Sequence, residues 1–141
     1  MARTLLGFDF GTRRIGVAVG QEITHTAKGL TTISNINHEP DWSAIDKLVK
    51  QWQPQLLVVG LPHHLDDRPH ELVPLVQSFG DKLKTRYQLP VAWIDEKLSS
   101  SEAEARIAQG VHAKQRRQDK SEIDKLAAEL ILQSWLNSNP G

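Results

Sequence analysis

Cysteine is absent from this 141-residue sequence, so neither disulfides nor thiolate metal sites are available to it. A surplus of one charge is lacking as well. Seventeen Lys and Arg stand against seventeen Asp and Glu, so the chain does not advertise itself as a nucleic-acid binder, and any basic surface must be local. No apolar run approaches the roughly 20 residues that cross a bilayer. Met1-Ala2-Arg3 leads straight into a strand-like segment rather than a signal peptide. A soluble cytoplasmic protein with no membrane partner is the expectation. There is no internal repeat and no low-complexity tract. The length suits one domain over residues 1–137 that buries most of its apolar surface without staples, followed by a short tail at 138–141.

What the chain does have is an unusual opening. Residues 4–10 and 14–20 read as two apolar strands folded over a Gly-Thr-Arg-Arg turn, and the first carries one acid, Asp9, among apolar neighbours. A carboxylate in such a strand is costly unless a metal, a proton or a basic partner compensates it. In the second strand Ile15, Val17 and Val19 face one way, while Gly16, Ala18 and Gly20 leave the other face small. Small residues let a helix or a ligand approach the backbone closely.

The threonine-rich segment 23–33 reads as a third, edge-like strand. Asp41 is a good N-cap for a helix carrying Trp42, Ile45, Leu48, Val49 and Trp52 at helical spacing, with Pro54 as its stop. Residues 56–60 are apolar without alternation, the pattern of a parallel strand covered on both faces. A helix from near Glu71 through Tyr87 accommodates Pro74 in its first turn. A short strand at 91–94 runs into Asp95-Glu96, and a capping-box pattern opens a helix over 101–109. The last helix, opened by Ser121, has Ile123, Leu126, Ala127, Leu130, Ile131 and Trp135 as its expected core stripe. The order implies an α/β domain with an antiparallel hairpin side and a parallel side.

In open α/β sheets, sites form beyond the carboxyl ends of the parallel strands. Asp9 lies near the end of the first strand and Glu96 just past the strand at 91–94. Asp124 shares a face of the last helix with Ala127, Ala128 and Ile131, so it should look toward the sheet. Three converging carboxylates without Cys or a His-x-x-His pattern make a hard-oxygen site suited to Mg²⁺ or Mn²⁺. Such a site implies phosphodiester hydrolysis. Each acid has a plainer explanation. Asp9 can pair with Arg13 or Arg14 to pin the turn, Glu96 can be a solvated strand end, and Ser121-x-x-Asp124 is itself a capping pattern.

The run Phe8-Asp9-Phe10-Gly11-Thr12-Arg13-Arg14-Ile15-Gly16-Val17-Ala18 resembles the opening motif of the YqgF/RuvX family. So do Gly60-Leu61-Pro62, Asp95-Glu96-Lys97-Leu98-Ser99-Ser100, and Asp124 with Ala127-Ala128 and Ile131-Leu132-Gln133. The resemblance covers essentially the whole chain. It implies a ribonuclease H-like, RuvC-like mixed sheet flanked by helices, with Asp9, Glu96 and Asp124 as metal-binding catalytic acids. It further implies a nuclease maturing the 5′ end of pre-16S ribosomal RNA, or a Holliday junction resolvase acting on branched DNA. The partners so implied are pre-ribosomal RNA or its particle, or a DNA junction, met by a monomer or homodimer. The sequence departs from the family pattern at His63-His64-Leu65-Asp66-Asp67, where Asn-Met-Asp-Gly is usual, and at Lys97, where arginine is usual.

Between His112 and Lys120 the residues Lys114, Arg116, Arg117 and Lys120 oppose only Asp119, a local charge of three positive directly before Asp124. With Arg13, Arg14 and Lys97, the side chains of Lys114, Arg116 and Arg117 are the expected nucleic-acid contacts. The histidine-rich loop at 63–70 fits no helical ligand spacing and reads as exposed. The four tryptophans sit at core positions of their elements rather than as base-stacking platforms. Two other classes compete. Asp9 to Thr12 also spells the Asp-x-Gly-Thr of actin-type and sugar-kinase ATP-binding domains, but that fold needs two lobes and this chain has room for one. A non-catalytic ribosome-assembly module is the other, and the intact acids argue against it.

Overall fold

A computed structural model describes residues 3–11, 13–37, 39–61, 73–95 and 120–138, with 95 and 120–122 by backbone alone. Five strands form one sheet: β1 Thr4–Phe10, β2 Arg14–Gln21, β3 Thr26–Ser34, β4 Leu56–Leu61 and β5 Val91–Asp95. Their order is β3-β2-β1-β4-β5. The β1–β2 and β2–β3 pairs are antiparallel, and the β1–β4 and β4–β5 pairs are parallel. The carboxyl ends of β1, β4 and β5 therefore share one edge. The chain runs outward from β1 on one side and resumes at β4 on the other, so the strand order reverses at β1/β4.

Helices α1 (Trp42–Trp52) and α2 (Val73–Tyr87) cover one face of the sheet. Their apolar stripes close a core with Leu6, Phe8, Ile15, Val17, Ile33, Leu57 and Val59. Asp41 caps α1 through its side chain, which accepts from the Ala44 N–H, and Gln53 ends the helix in a left-handed conformation at φ 47°. Asp46 of α1 ties the two helices together. It accepts from Arg86 Nε at 2.8 Å, Arg86 Nη2 at 2.7 Å and the Tyr87 hydroxyl at 2.6 Å. Chiefly these Arg86 bonds, then the Tyr87 hydroxyl, hold the Asp46 carboxyl down at about 2. A depressed carboxyl stabilises the fold above its unfolded value and stops doing so as pH falls through its folded value. Asp46→Asn should therefore lower the melting temperature at neutral pH. The gap to the wild-type protein should close between about pH 4 and pH 2, in melts across that window. Because Asp46 is half-exposed the effect should be small.

The other face is covered by α3 (Lys120–Ser138). Its Ala128, Ile131, Leu132 and Leu136 pack on Leu5, Ala18, Leu56 and Val58. Residues of α3 also close the edge of β3. The Gly29 N–H donates to Glu129 Oε1 at 2.9 Å and the Ala27 N–H to Gln133 Oε1 at 3.0 Å, while Gln133 Nε2 donates to the His25 carbonyl.

The structure revises four local expectations. Residues 22–25 form a turn, with His25 at φ 60°, before β3 begins at Thr26. The β-branched Ile23 and Thr24 mimic a strand there, but the hairpin needs a reversal. The last helix starts at Lys120 and includes Ser138, so Ser121 lies inside it and is not its cap. Ile123 is exposed, because the buried stripe is rotated toward Ala128, Leu132 and Leu136. Trp93 lies on Gly80 of α2, where a Cβ would collide with its ring, yet it sits at the rim of the core and keeps part of its surface exposed. The expected helix at 101–109 and the 63–67 loop lie outside the described residues.

Candidate functional site

Strand alternation assigns the side chains of β1 to two layers. Leu6 and Phe8 enter the core under α1 and α2, while Leu5 enters the layer under α3. Gly7 shares that second layer, where a Cβ would lie 2.9 Å from Leu132 Cβ. Asp9, two residues on, points to the same side. The β1–β4 ladder ends at Phe8–Val59, so Asp9 stands just beyond it, at the mouth of the crevice where the strand order reverses.

Across the hairpin Asp9 is paired with Gly16. The backbone of Asp124 lies directly over this glycine, and a Cβ there would run into the Asp124 carbonyl oxygen. The small face of β2 is thus a seat for the first turns of α3, and it brings Asp124 to the strand pair that carries Asp9. Arg14 projects from the same face two residues before Gly16. Its Nε donates to Asp124 Oδ2 at 2.7 Å, with one third of the Arg14 side chain and 22% of the Asp124 side chain exposed. A charge-assisted bond of this length is strong for its kind. Asp124 therefore looks at the sheet, as its helical face suggests.

Asp9, Arg14 and Asp124 converge; Arg13 is exposed on the turn. Glu96, Lys97, Lys114, Arg116 and Arg117 lie outside the described residues. Among the described residues no group of three or more His, Cys, Asp or Glu could hold a metal ion. The two convergent acids offer oxygen donors only. A guanidinium already seated on one of them shows that the site accepts positive charge, so this donor set fits a hard divalent cation that keeps waters and accepts phosphate oxygens.

Asn35 is a positioning residue with no local sequence signal. Its Nδ2 donates to the Gly11 carbonyl and its N–H to the Arg13 carbonyl, both at 2.9 Å, which pins the turn bearing Arg13 and Arg14. Gln133, visible in the sequence only within the family-like motif, fixes α3 against β3 from the far end.

A family profile described as RuvX, Holliday junction resolvase, matches residues 3–138. The chain belongs to the RuvX family. A relative from Nitrosococcus oceani, named "Putative pre-16S rRNA nuclease", is 49% identical over 134 residues, covering 95% of this chain and 86% of that protein. One of the same name from Haemophilus ducreyi is 46% identical over 140 residues, covering 99% and 100%. Among solved structures, RuvC of T. thermophilus in complex with a Holliday junction substrate superposes with a TM-score of 0.58 at 16% identity, covering 98% of this chain and 96% of that one. The fowlpox virus Holliday junction resolvase gives 0.54 at 9% identity, covering 96% and 99%. At such identities the likeness concerns the fold, and the RuvX chain has the RuvC-like, ribonuclease H-like fold that its motifs imply.

Proposed function

We propose that this RuvX-family chain is a divalent-metal-dependent nuclease, and that its substrate is the 5′ region of pre-16S ribosomal RNA. The observation that carries the reading is the placement of Asp9 and Asp124 on one sheet face, over the β1–β2 pair beside the β1/β4 crevice. Family membership and relatives named as pre-16S ribosomal RNA nucleases support it. Asp9, Glu96 and Asp124 would hold Mg²⁺ or Mn²⁺; Glu96 is the next residue in sequence after β5, whose carboxyl end shares an edge with that of β1. When bound, the ion supplies charge stabilisation to the attacking and leaving oxygens of an in-line displacement at phosphorus. The carboxylates fix where that charge sits. Arg13 and Arg14 on the hairpin, with Lys97, Lys114, Arg116 and Arg117, engage the flanking phosphates. The protein works in the cytoplasm on pre-ribosomal particles.

A second reading is resolution of branched DNA, favoured by the family description and by the fold shared with a junction-bound RuvC. That activity requires a symmetric dimer presenting two sites, whereas RNA maturation is open to a monomer. Depleting the protein in its own cells and mapping the 5′ ends of small-subunit ribosomal RNA separates the two. Accumulated 5′-extended RNA, rescued by the wild-type gene and not by Asp9→Asn, is the expected result. Normal ends with impaired recombination would favour the junction. Rescue by Asp9→Asn would mark a non-catalytic assembly factor.

Neutralising Arg116 and Arg117 together should weaken RNA binding and reduce the slope of log affinity against log salt by about 1.5, at roughly 0.7–0.9 for each phosphate no longer neutralised. Filter binding between low and physiological salt measures it, and an unaltered slope removes this segment from the interface.

A further inference from the structure

Arg14 does more at this site than neutralise a carboxylate. Its Nε occupies Asp124 Oδ2 at 2.7 Å, an oxygen that a cation held by Asp124 would use. Guanidinium and divalent ion carry like charge and cannot crowd the same oxygen without mutual repulsion. The Arg14 backbone is fixed on both sides, by its pairing with Ser34 in the β2–β3 ladder and by Asn35 holding the preceding turn. Release must therefore come from the side chain. One third of the Arg14 side chain is exposed, so the side chain can swing toward solvent and off the carboxylate. Phosphate is the partner that best replaces a carboxylate for a planar fork of donors.

We propose that Arg14 and the divalent cation compete for Asp124, so that metal entry hands the guanidinium to a phosphate of the incoming nucleic acid. Arg14 is on this view a positioning residue that couples metal binding to nucleic-acid binding. Each ligand favours the other, by the same factor in both directions. The proposal rests on the metal-site reading above.

The test is Mn²⁺ binding by calorimetry, and thermal melts in chelator and in Mn²⁺, on the full chain as wild type, Arg14→Gln, Arg14→Lys and Asp9→Asn. Arg14→Gln should melt lower than wild type in chelator, bind Mn²⁺ more tightly by roughly tenfold, and gain more melting temperature from Mn²⁺ than wild type does. Arg14→Lys, which keeps the charge without the fork, should fall between them, and it carries the test if Arg14→Gln does not fold. A non-cleavable oligonucleotide should tighten Mn²⁺ binding in wild type more than in Arg14→Gln. Equal Mn²⁺ affinity in wild type and both variants, with melts lowered equally in chelator and Mn²⁺, would make Arg14 a simple tie and overturn the inference while leaving the metal site standing. Failure of wild type to bind Mn²⁺ any better than Asp9→Asn would overturn the metal-site reading and this inference with it.

Discussion

Asp9→Asn is expected to reduce metal-dependent cleavage by about a thousandfold or more while the melting temperature stays within a few degrees of wild type. A divalent ion at a phosphoryl centre supplies several kcal/mol of transition-state stabilisation, and about 4 kcal/mol corresponds to three orders of magnitude in rate. Asn keeps the shape and one oxygen of Asp9 but removes the charge that would hold the ion in the proposed site. Asp9 lies at the end of β1, beyond the β1–β4 ladder, so the strand pairing that supports the fold does not depend on its charge. Carboxylates gathered on one face also repel each other, which limits any stability lost with the charge. Cleavage assays in Mg²⁺ and Mn²⁺, paired with a melt, measure both quantities. Undiminished turnover would place the chemistry elsewhere.

Gly16→Ala should damage stability and activity together. The added methyl would meet the Asp124 carbonyl oxygen, which is backbone and cannot rotate away. Only a shift of α3 off β2 relieves the collision. Overpacking of this kind costs about 1–3 kcal/mol or more, roughly 3–10 °C of melting temperature for a domain near this size. The same shift moves Asp124 relative to Asp9, so cleavage should fall at temperatures where the variant is still folded. Gly7 offers a comparison on the same sheet face. A methyl there would lie 2.9 Å from Leu132 Cβ, which the helix backbone fixes, so Gly7→Ala also presses on α3 but about two turns beyond Asp124, and it should cost stability while sparing more of the cleavage. Equal losses of activity in the two variants at matched folded fraction would contradict the seating role of Gly16.

Much of the architecture was legible because local patterns govern it. The small face of β2 announces a close-packed partner, and α3 is that partner. The continuous apolar stretch at 56–60 marks a parallel strand buried on both faces, the one at 91–94 a second parallel strand that is only partly buried, and Asp41 caps the helix it precedes. Asp124 was readable as sheet-facing because helical spacing ties it to Ala128 and Ile131. What the pattern misplaced was finer. Ile23 and Thr24 have strand chemistry but occupy a reversal, since hairpin geometry outweighs propensity. Ile123 drops out of the core because rotation of a helix about its axis depends on the surface it meets. The partner of Arg14 was beyond reach. Arg14 and Asp124 are 110 positions apart, and nothing local in either segment distinguishes this pairing from one with Asp9.

Metal-dependent RNA cleavage at Asp9 and its neighbouring acids, as proposed, is an activity of the chain by itself. Its most direct test is to incubate the purified chain with 5′-extended 16S ribosomal RNA precursor while titrating Mg²⁺ and Mn²⁺, and to map the 5′ ends produced. Discrete trimming toward the mature end, saturable in metal and lost in Asp9→Asn, is the predicted result. Cleavage that persists in chelator or survives Asp9→Asn, or a precursor left intact while a four-way DNA junction is cut, would contradict it.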